Sequence, residues 1–135
     1  MTLAIWTDGS CTAGYGGWAV YAPENLGDKI LSGEKIGTTN NRMELTAIIN
    51  ALKLADGEAV IIFSDSQWAI HATDNSWKIK ENLDLVKEAR GLFSISKATL
   101  RWVKGHDISP QNKLADELAK TAAILCMKRE MHNGT

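Results

Sequence analysis

Four carboxylate side chains stand near predicted boundaries between strands and helices, and their types and positions could support metal-dependent chemistry. They are Asp8, Glu44, Asp65 and Asp116. Carboxylates that converge on one crevice repel one another and shift one another's pKa values unless a cation neutralises them. Because oxygen ligands favour hard ions, such a cluster would suit Mg²⁺. The sequence must therefore fold so that distant parts of the chain meet.

The first third of the chain is predicted to form three strands. Residues 3–8 (LAIWTD) alternate and end at a Gly-Ser turn, which is typical of a strand. A second strand crosses GYGGWAVYA, with Trp18, Val20 and Ala22 on one face. The weaker third strand, over residues 29–36, is joined to the second by a hairpin around residues 25–28.

The rest of the chain alternates between helices and strands. An apolar stripe over residues 45–52 predicts a helix that begins in the polar TNN cluster and ends near Asp56-Gly57. The apolar run at 59–65 suits a parallel strand buried on both faces. A short helix from Ser66, a helix around 85–93, a strand at 98–103 and a last helix opened by Ser109-Pro110 follow. The apolar stripe of that last helix comprises Leu114, Leu118, Ala122 and Leu125.

This order indicates an α/β fold with a mixed five-stranded sheet flanked by helices, antiparallel in its first three strands and parallel in its βα units. Ligands of such sheets collect outside the carboxyl ends of the strands. Asp8 and Asp65 end two strands that we expect to be parallel neighbours. Glu44 lies in the first turn of the helix between them, and Asp116 lies early in the last helix.

Each carboxylate also has a purely structural explanation. Asp8 could stabilise an Asp-Gly turn, and Asp65 could cap the helix that follows it. Glu44 could complete a capping box with Asn41. Asp116 could pair with a lysine of its own helix, which contributes only about 0.3 kcal/mol. The four residues together favour the metal site over these separate roles.

Length, composition and cysteine content place the chain among ordinary globular domains. Its 135 residues can bury one core. The formal net charge of −1 gives no sign of nucleic-acid binding, since domains held mainly by phosphate attraction are plainly basic. Cys11 and Cys126 are too few for a disulfide scaffold, and no apolar run or N-terminal pattern predicts a membrane span or a signal peptide. We expect a cytoplasmic protein.

Four motifs nevertheless make the sequence resemble the type 1 ribonuclease H family. They are TDGSC at 7–11, TTNNRMEL at 38–45, SDSQW at 64–68 and the block from WVKGH to Asp116. They occur in the family's order and with its spacing. The resemblance implies a ribonuclease H catalytic domain over residues 1–126, followed by a flexible polar tail at 127–135. The implied activity is metal-dependent hydrolysis of the RNA strand of RNA–DNA hybrids, which leaves 5′-phosphate and 3′-hydroxyl ends.

The resemblance also implies roles for the acidic residues. Asp8, Glu44, Asp65 and Asp116 would hold two Mg²⁺ ions, which Mn²⁺ could replace. Asp8 would bridge the two ions. Asp116 would help to hold the ion that activates water, and Glu44 and Asp65 the ion that stabilises the leaving oxygen. His106, in the KGHD loop, matches a mobile histidine that assists proton transfer or product release.

Substrate contacts are implied by the same motifs. Asn40 and Asn41 match a pair that reads 2′-hydroxyls in the minor groove of the hybrid. Cys11 and Gln67 match residues that contact the RNA, and Thr39 matches a contact to a DNA phosphate. Helix capping is the alternative for the asparagines, and both roles can coexist.

The chain departs from the family after the Asp65 strand. Several members carry a basic, tryptophan-containing helix there, the handle, which residues 75–85 (NSWKIKENLDL) lack. Trp77, Lys78 and Lys80 could be an aromatic and basic remnant that lies along the DNA strand, or Trp77 could belong to the core. We expect hybrid binding to be weaker than in relatives that have a handle.

The leading hypothesis is a monomeric hybrid endonuclease that needs no protein partner. One alternative is a binding module of the same fold without catalysis, which the complete carboxylate set argues against. Another is a related nuclease, either a junction resolvase or an excised reverse-transcriptase domain. The Asn40–Asn41 pair and the His106 loop argue against the resolvase, whereas the sequence is poorer at excluding the reverse-transcriptase domain.

Overall fold

The structure is a computed structural model that describes residues 3–23, 29–105 and 109–133. Within these ranges the chain forms five strands and four helices in the predicted order. They are β1 (Leu3–Thr12), β2 (Tyr15–Ala22), β3 (Lys29–Ile36), α1 (Asn40–Ala55), β4 (Val60–Ser64), α2 (Gln67–Asp74), α3 (Leu83–Ser94), β5 (Thr99–Trp102) and α4 (Pro110–Asn133). The hairpin predicted at 25–28 lies outside the described residues.

The strands form one mixed sheet in the order β3-β2-β1-β4-β5. β1 pairs with β2, and β2 with β3, in antiparallel ladders. β4 pairs in parallel with both β1 and β5. This arrangement confirms the predicted fold class, in which the parallel strands of the βα units adjoin an antiparallel meander.

Helices cover the two faces of the sheet unequally. The adjacent glycines of β2 show which helix lies on each face, because neighbouring strand residues point to opposite faces. A Cβ at Gly16 would overlap Met43 of α1, whereas one at Gly17 would overlap the backbone of Ala119 in α4. α2 and α3 pack against α1, and α4 packs against β1, β2 and β3.

The core lies between α1 and the central strands. Leu45, Ile48 and Leu52 of the predicted stripe are buried there, against Ile5 of β1 and Ile62 of β4. Leu54, Trp68 and Leu100 are among the partly buried residues at its border.

β4 is a parallel strand, but it is not buried on both faces as the sequence predicts. Its burial alternates: Val60 and Ile62 are fully covered, whereas Ile61 and Phe63 are only half-buried. α4 covers the other half of the sheet, so the second face of β4 has no helix over it in the described ranges. There Phe63 instead stacks on Trp6, with ring centroids 4.8 Å apart.

The buried face of α4 also differs from the prediction. The sequence predicts a stripe that includes Leu114, Leu118, Ala122 and Leu125, but Leu125 is 52% exposed. The buried residues of α4 are Asn112, Ala115, Ala119, Ala123 and Cys126. The alanines face the sheet because Gly17 leaves room for the helix backbone itself to contact β2. Leucines at those positions would hold the helix further away.

The ends of two elements differ from expectation as well. β1 does not turn at Gly9-Ser10 but continues to Thr12, because it remains paired with β2. α4 continues as a helix across residue 126 to Asn133, and Arg129 in this segment pairs with Glu34 of β3. Flexibility of the end of the chain thus stays a prediction, but irregular structure up to Asn133 is excluded. No helix in the described part of the chain is long and apolar enough to span a membrane.

The close contact between β2 and α4 yields a stability prediction. Gly17→Ala should destabilise the fold by about 1–3 kcal/mol, because the added methyl group must displace helix backbone. Gly91→Ala provides the matched control, since a Cβ there meets no atom within 4 Å and removing a helical glycine stabilises by about 0.5–1 kcal/mol. Denaturant unfolding measures both. Equal stability of the two variants would contradict the proposed reason for the alanine face.

Candidate functional site

Three of the four predicted carboxylates meet at one edge of the sheet. β1 pairs with β4 only from Leu3 to Trp6, so Asp8 lies just beyond the parallel ladder although β1 itself continues. Asp65 directly follows β4. With Glu44 from α1, these residues offer carboxylate oxygens that all lie within 4.8 Å of one another. Asp8, Glu44 and Asp65 thus meet as their predicted positions near strand ends indicate.

Glu44 does not serve as a capping residue. The N-cap of α1 is Thr39, whose side chain accepts a hydrogen bond from Arg42 N, so the predicted box with Asn41 does not form. Glu44 consequently lies in the second turn rather than the first. Its Oε1 accepts a hydrogen bond from the backbone N–H of Gly9, which also donates to Asp8 Oδ1. One strand amide thus holds two acidic side chains.

Gly9 makes this convergence possible. A Cβ at position 9 would overlap the backbone of Met43 and Glu44. Without a side chain at this position, α1 approaches β1 closely enough for Glu44 to reach the amide beside Asp8. The Asp8-Gly9 pair therefore marks a close contact between strand and helix, and not the turn that the sequence suggests.

The carboxylates strongly perturb one another. Burial, reinforced by the charge of Asp65, raises the pKa of Asp8 to about 7. Burial and then the charge of Asp8 raise the pKa of Glu44 well above its usual value. Burial and like charge thus disfavour ionisation of both carboxyl groups when no cation is present. A divalent cation would stabilise the ionised forms of both carboxyl groups and so lower their pKa values.

The donor set fits a hard divalent cation. All three side chains supply oxygen, and their spacing allows one ion to contact each of them. Their buried negative charge has no lysine or arginine partner among the described residues. Such a site suits Mg²⁺, which is commonly held by a few carboxylates and water.

Asp116 lies at the rim of this cluster. It lies close enough to Asp8 to help raise the pKa of that carboxyl group, but it does not belong to the group of three that could share one ion. Its side chain is 41% exposed and pairs with Lys120 Nζ at 3.0 Å. Asp116 thus forms the predicted ion pair within its own helix and also lies near Asp8.

Several predicted substrate residues gather at the N-terminus of α1. Thr39, Asn40 and Asn41 line a shallow pocket of about 320 Å³ together with Glu81 and Asn82. This is the end of the helix where unpaired N–H groups favour anions. The sequence did not identify the last two residues as part of this surface.

A bidentate ion pair joins the two sides of that pocket. Arg42 donates to Asp84 at 3.0 and 2.7 Å and to Asn82 Oδ1 at 3.2 Å. This pair fixes the start of α3 against the start of α1. The connecting residues 75–82 contain no helix, which agrees with the predicted absence of a handle.

The remaining predicted site residues are dispersed. Cys11 is half-buried in β1, and its Sγ donates to Thr38 O at 3.4 Å. Gln67 is exposed as the first residue of α2. Trp77 is 43% exposed and stacks on His71 at 4.4 Å, so it is not a core residue. His106 lies outside the described residues, and its role stays a prediction.

Three residues that sequence reasoning did not assign to the site contact it. Gly9 carries the shared amide, Lys120 pairs with Asp116, and the indole of Trp102 donates to Asp65 O. The i,i+4 spacing indicated the second of these contacts. Nothing in the sequence pattern indicated the other two, because both depend on contacts between distant elements.

The raised pKa values predict how the stability of the metal-free protein depends on pH. Asp8 and Glu44 bind protons more tightly when folded, so stability is highest below their unfolded pKa values of about 4 and falls as the pH rises. The thermal midpoint in chelator should fall by about 5 °C or more between pH 5 and 8. In Asp8→Asn this fall should be much smaller. A wild-type midpoint that stays constant or rises over this range would contradict the assignment.

Comparison with known proteins identifies the family. The RNase H family model matches residues 1–124. The chain is 37% identical to Ribonuclease H of Chlorobium limicola, in an alignment that covers 89% of this chain and 94% of that protein. It is 38% identical to Ribonuclease HI of Neisseria meningitidis serogroup A, with 91% and 96% covered.

Solved structures agree in fold. The N-terminal RNase H domain of rv2228c from Mycobacterium tuberculosis, solved as a fusion with maltose binding protein, superposes with a TM-score of 0.78 at 23% identity and covers 95% of this chain and 97% of that one. LC9-RNase H1, described as a type 1 RNase H with the type 2 active-site motif, gives a TM-score of 0.72 at 28% identity, with 93% and 73% covered. The carboxylate cluster, the sheet order and the match over residues 1–124 lead to one conclusion: this chain belongs to the RNase H family.

Proposed function

We propose that this chain is a metal-dependent endonuclease that hydrolyses the RNA strand of RNA–DNA hybrids and leaves 5′-phosphate and 3′-hydroxyl ends. The observation that carries the proposal is the group formed by buried Asp8 and Glu44 and half-buried Asp65, with oxygens within 4.8 Å of one another. A family member that only bound nucleic acid would gain nothing from buried negative charge, since the charge would repel phosphates. The same charge suits an enzyme that works with divalent cations.

Two Mg²⁺ ions, or Mn²⁺ in their place, would be held by Asp8, Glu44, Asp65 and Asp116. Bound there, the cations would supply an activated water and stabilise the charge on the leaving oxygen. The chain's own contribution is positioning. Gly9 N–H orients Asp8 and Glu44, and the fourth carboxylate, Asp116, lies close enough to Asp8 to help raise its pKa. His106 would assist proton transfer or product release.

Hybrid recognition would follow from the surface around the start of α1. Asn40 and Asn41 would donate to and accept from 2′-hydroxyls, which distinguish RNA from DNA. Thr39 would contact a DNA phosphate at the helix N-terminus. Cys11 and Gln67 would contact the RNA.

Trp77 would extend this surface along the DNA strand. Its half-exposed ring is oriented by the stack on His71. Arg90 fixes the neighbouring backbone through a bond of 3.3 Å to Trp77 O. A ring held in this way can stack on a base or a sugar with little loss of conformational freedom.

Monomeric action in the cytoplasm completes the proposal. All four carboxylates come from one chain, so the site needs no partner protein. Cys11 and Cys126 are free thiols, as is usual in a reducing compartment.

The activity is tested with end-labelled RNA–DNA, RNA–RNA and DNA–DNA duplexes, each with Mg²⁺ or with chelator. Cleavage should be confined to the RNA of the hybrid and should need the cation. Asp65→Asn should lower kcat by about a hundredfold or more, since it removes the negative charge and one oxygen of a carboxylate that would hold the cations. Asp56→Asn is the matched control, because this exposed acid caps α1 in the left-handed region, which asparagine tolerates. Cleavage of plain DNA, or full activity of Asp65→Asn, would contradict the proposal.

Lys120 yields a second prediction. Since its ammonium group neutralises Asp116 at 3.0 Å, Lys120→Met should leave that carboxylate more available to a cation. The Mg²⁺ concentration that gives half-maximal cleavage should then fall about two- to fivefold, as expected for a modest surface ion pair. Lys113→Met, on the same helix and without an ion pair to Asp116 in the described structure, should not change it. A higher requirement for Mg²⁺ in Lys120→Met would show that the lysine supports the site instead of competing with the cation.

A further inference from the structure

Trp102, at the end of β5, contacts the backbone of Asp65, the residue that follows β4. It is the last residue of β5 and lies in register with Ser64, the last residue of β4. Its Nε1 donates a hydrogen bond of 3.1 Å to the carbonyl oxygen of Asp65. The ring is 43% exposed, so burial of apolar surface alone does not explain why an indole lies at this position.

The Trp102 side chain leaves the sheet on the face opposite Phe63. Register partners in a parallel pair share a face, and successive strand residues alternate. Trp102 therefore points to the same side as Ser64 and Ile62, where α2 begins. From that side the indole N–H donates to the carbonyl oxygen of Asp65, the residue after Ser64. The hydrogen bond is therefore made to the main chain and not to a carboxylate. Any influence on the cation site must pass through the backbone.

Hydrogen bonds from main-chain N–H groups restrict the residues on either side of Asp65. Ser66 N donates to Ser64 Oγ at 3.1 Å, and Val103 N donates to Ser64 O at 2.9 Å. The Asp65 carboxylate itself lies beside those of Asp8 and Glu44, with oxygens within 4.8 Å of one another. The bond from Trp102 is the one that fixes the Asp65 carbonyl itself. Without it, the peptide between Asp65 and Ser66 can rotate more freely.

Trp102 also precedes residues 103–105, which lead from β5 back toward the carboxylate cluster. After Trp102 the chain passes through Val103 to Gly105, where a Cβ would lie 3.7 Å from Asp65 Oδ2. The segment therefore runs beside the carboxylate. As the last residue of β5, Trp102 directly precedes this segment, and its indole holds the backbone of Asp65.

We propose that Trp102 is a positioning residue, whose indole N–H sets the orientation of Asp65 toward Asp8 and Glu44. The inference rests on the proposed function of this cluster as a cation site. The indole acts as an outer partner of a ligand: it contacts neither cation nor substrate, and it restricts the directions in which the Asp65 side chain can leave the backbone. Partners of this kind commonly change metal affinity or activity by about 10–100-fold.

The test compares Trp102→Phe with Trp68→Phe. Both variants replace an indole by a smaller ring, but the Trp68 nitrogen makes no hydrogen bond within the described structure, and that ring packs against the core. Calorimetric titration of the free protein with Mg²⁺ measures cation affinity without substrate. Trp102→Phe should bind Mg²⁺ about tenfold more weakly, with a lower kcat and a KM for the hybrid unchanged within about twofold. Trp68→Phe should retain wild-type affinity for Mg²⁺.

The thermal midpoint in chelator separates positioning from a general loss of structure. It should change no more in Trp102→Phe than in Trp68→Phe. If Trp102→Phe does not fold, benzothienylalanine at position 102 keeps the ring shape and removes only the N–H donor. Wild-type Mg²⁺ affinity in a folded variant that lacks this donor would overturn the inference alone. Failure of the wild-type protein to bind Mg²⁺ would instead overturn the proposed function, and the inference with it.

Discussion

The confinement of three carboxylates in a largely buried cluster is the constraint on which the arrangement of this molecule depends. Asp8 is 5% exposed and Glu44 is 3% exposed, and together with Asp65 they confine their oxygens to a region 4.8 Å across. In water such groups would ionise and separate. Here the fold opposes that tendency, and burial first, followed by the neighbouring charges, raises the pKa values of Asp8 and Glu44. The site is thus prepared for a positive charge before one binds.

Backbone groups, more than side chains, hold the carboxylates of the cluster in place. β1 is longer than its parallel ladder with β4, so Asp8 can stand beyond the end of that ladder while the antiparallel pairing with β2 keeps its strand rigid. Gly9 admits α1 and supplies the amide that Asp8 and Glu44 share. Because these devices need no positively charged side chain inside the cluster, the charge remains available to a cation.

Much of this arrangement follows from local sequence patterns. Periodicity predicted every element and the mixed sheet, and the rule that ligands collect at strand ends predicted the meeting of Asp8, Glu44 and Asp65. The patterns failed where distant elements decide the outcome. The TTNN cluster offers several residues that can cap a helix, and only tertiary contacts select Thr39. The alanine face of α4 likewise depends on Gly17, a residue about a hundred positions earlier in the chain.

The contact between α4 and β2 has a consequence for the evolution of the site. Asp116 directly follows Ala115, the first alanine of the buried series. The distance between α4 and β2 is set by alanine methyl groups on the helix and by the hydrogen atom of Gly17 on the strand. This distance therefore determines how far the Asp116 carboxylate extends toward the cluster. A larger residue at the interface between α4 and β2 would push the helix away from the sheet and move Asp116 away from the other carboxylates. The packing of α4 against the sheet and the position of Asp116 in this chain consequently cannot change independently during evolution.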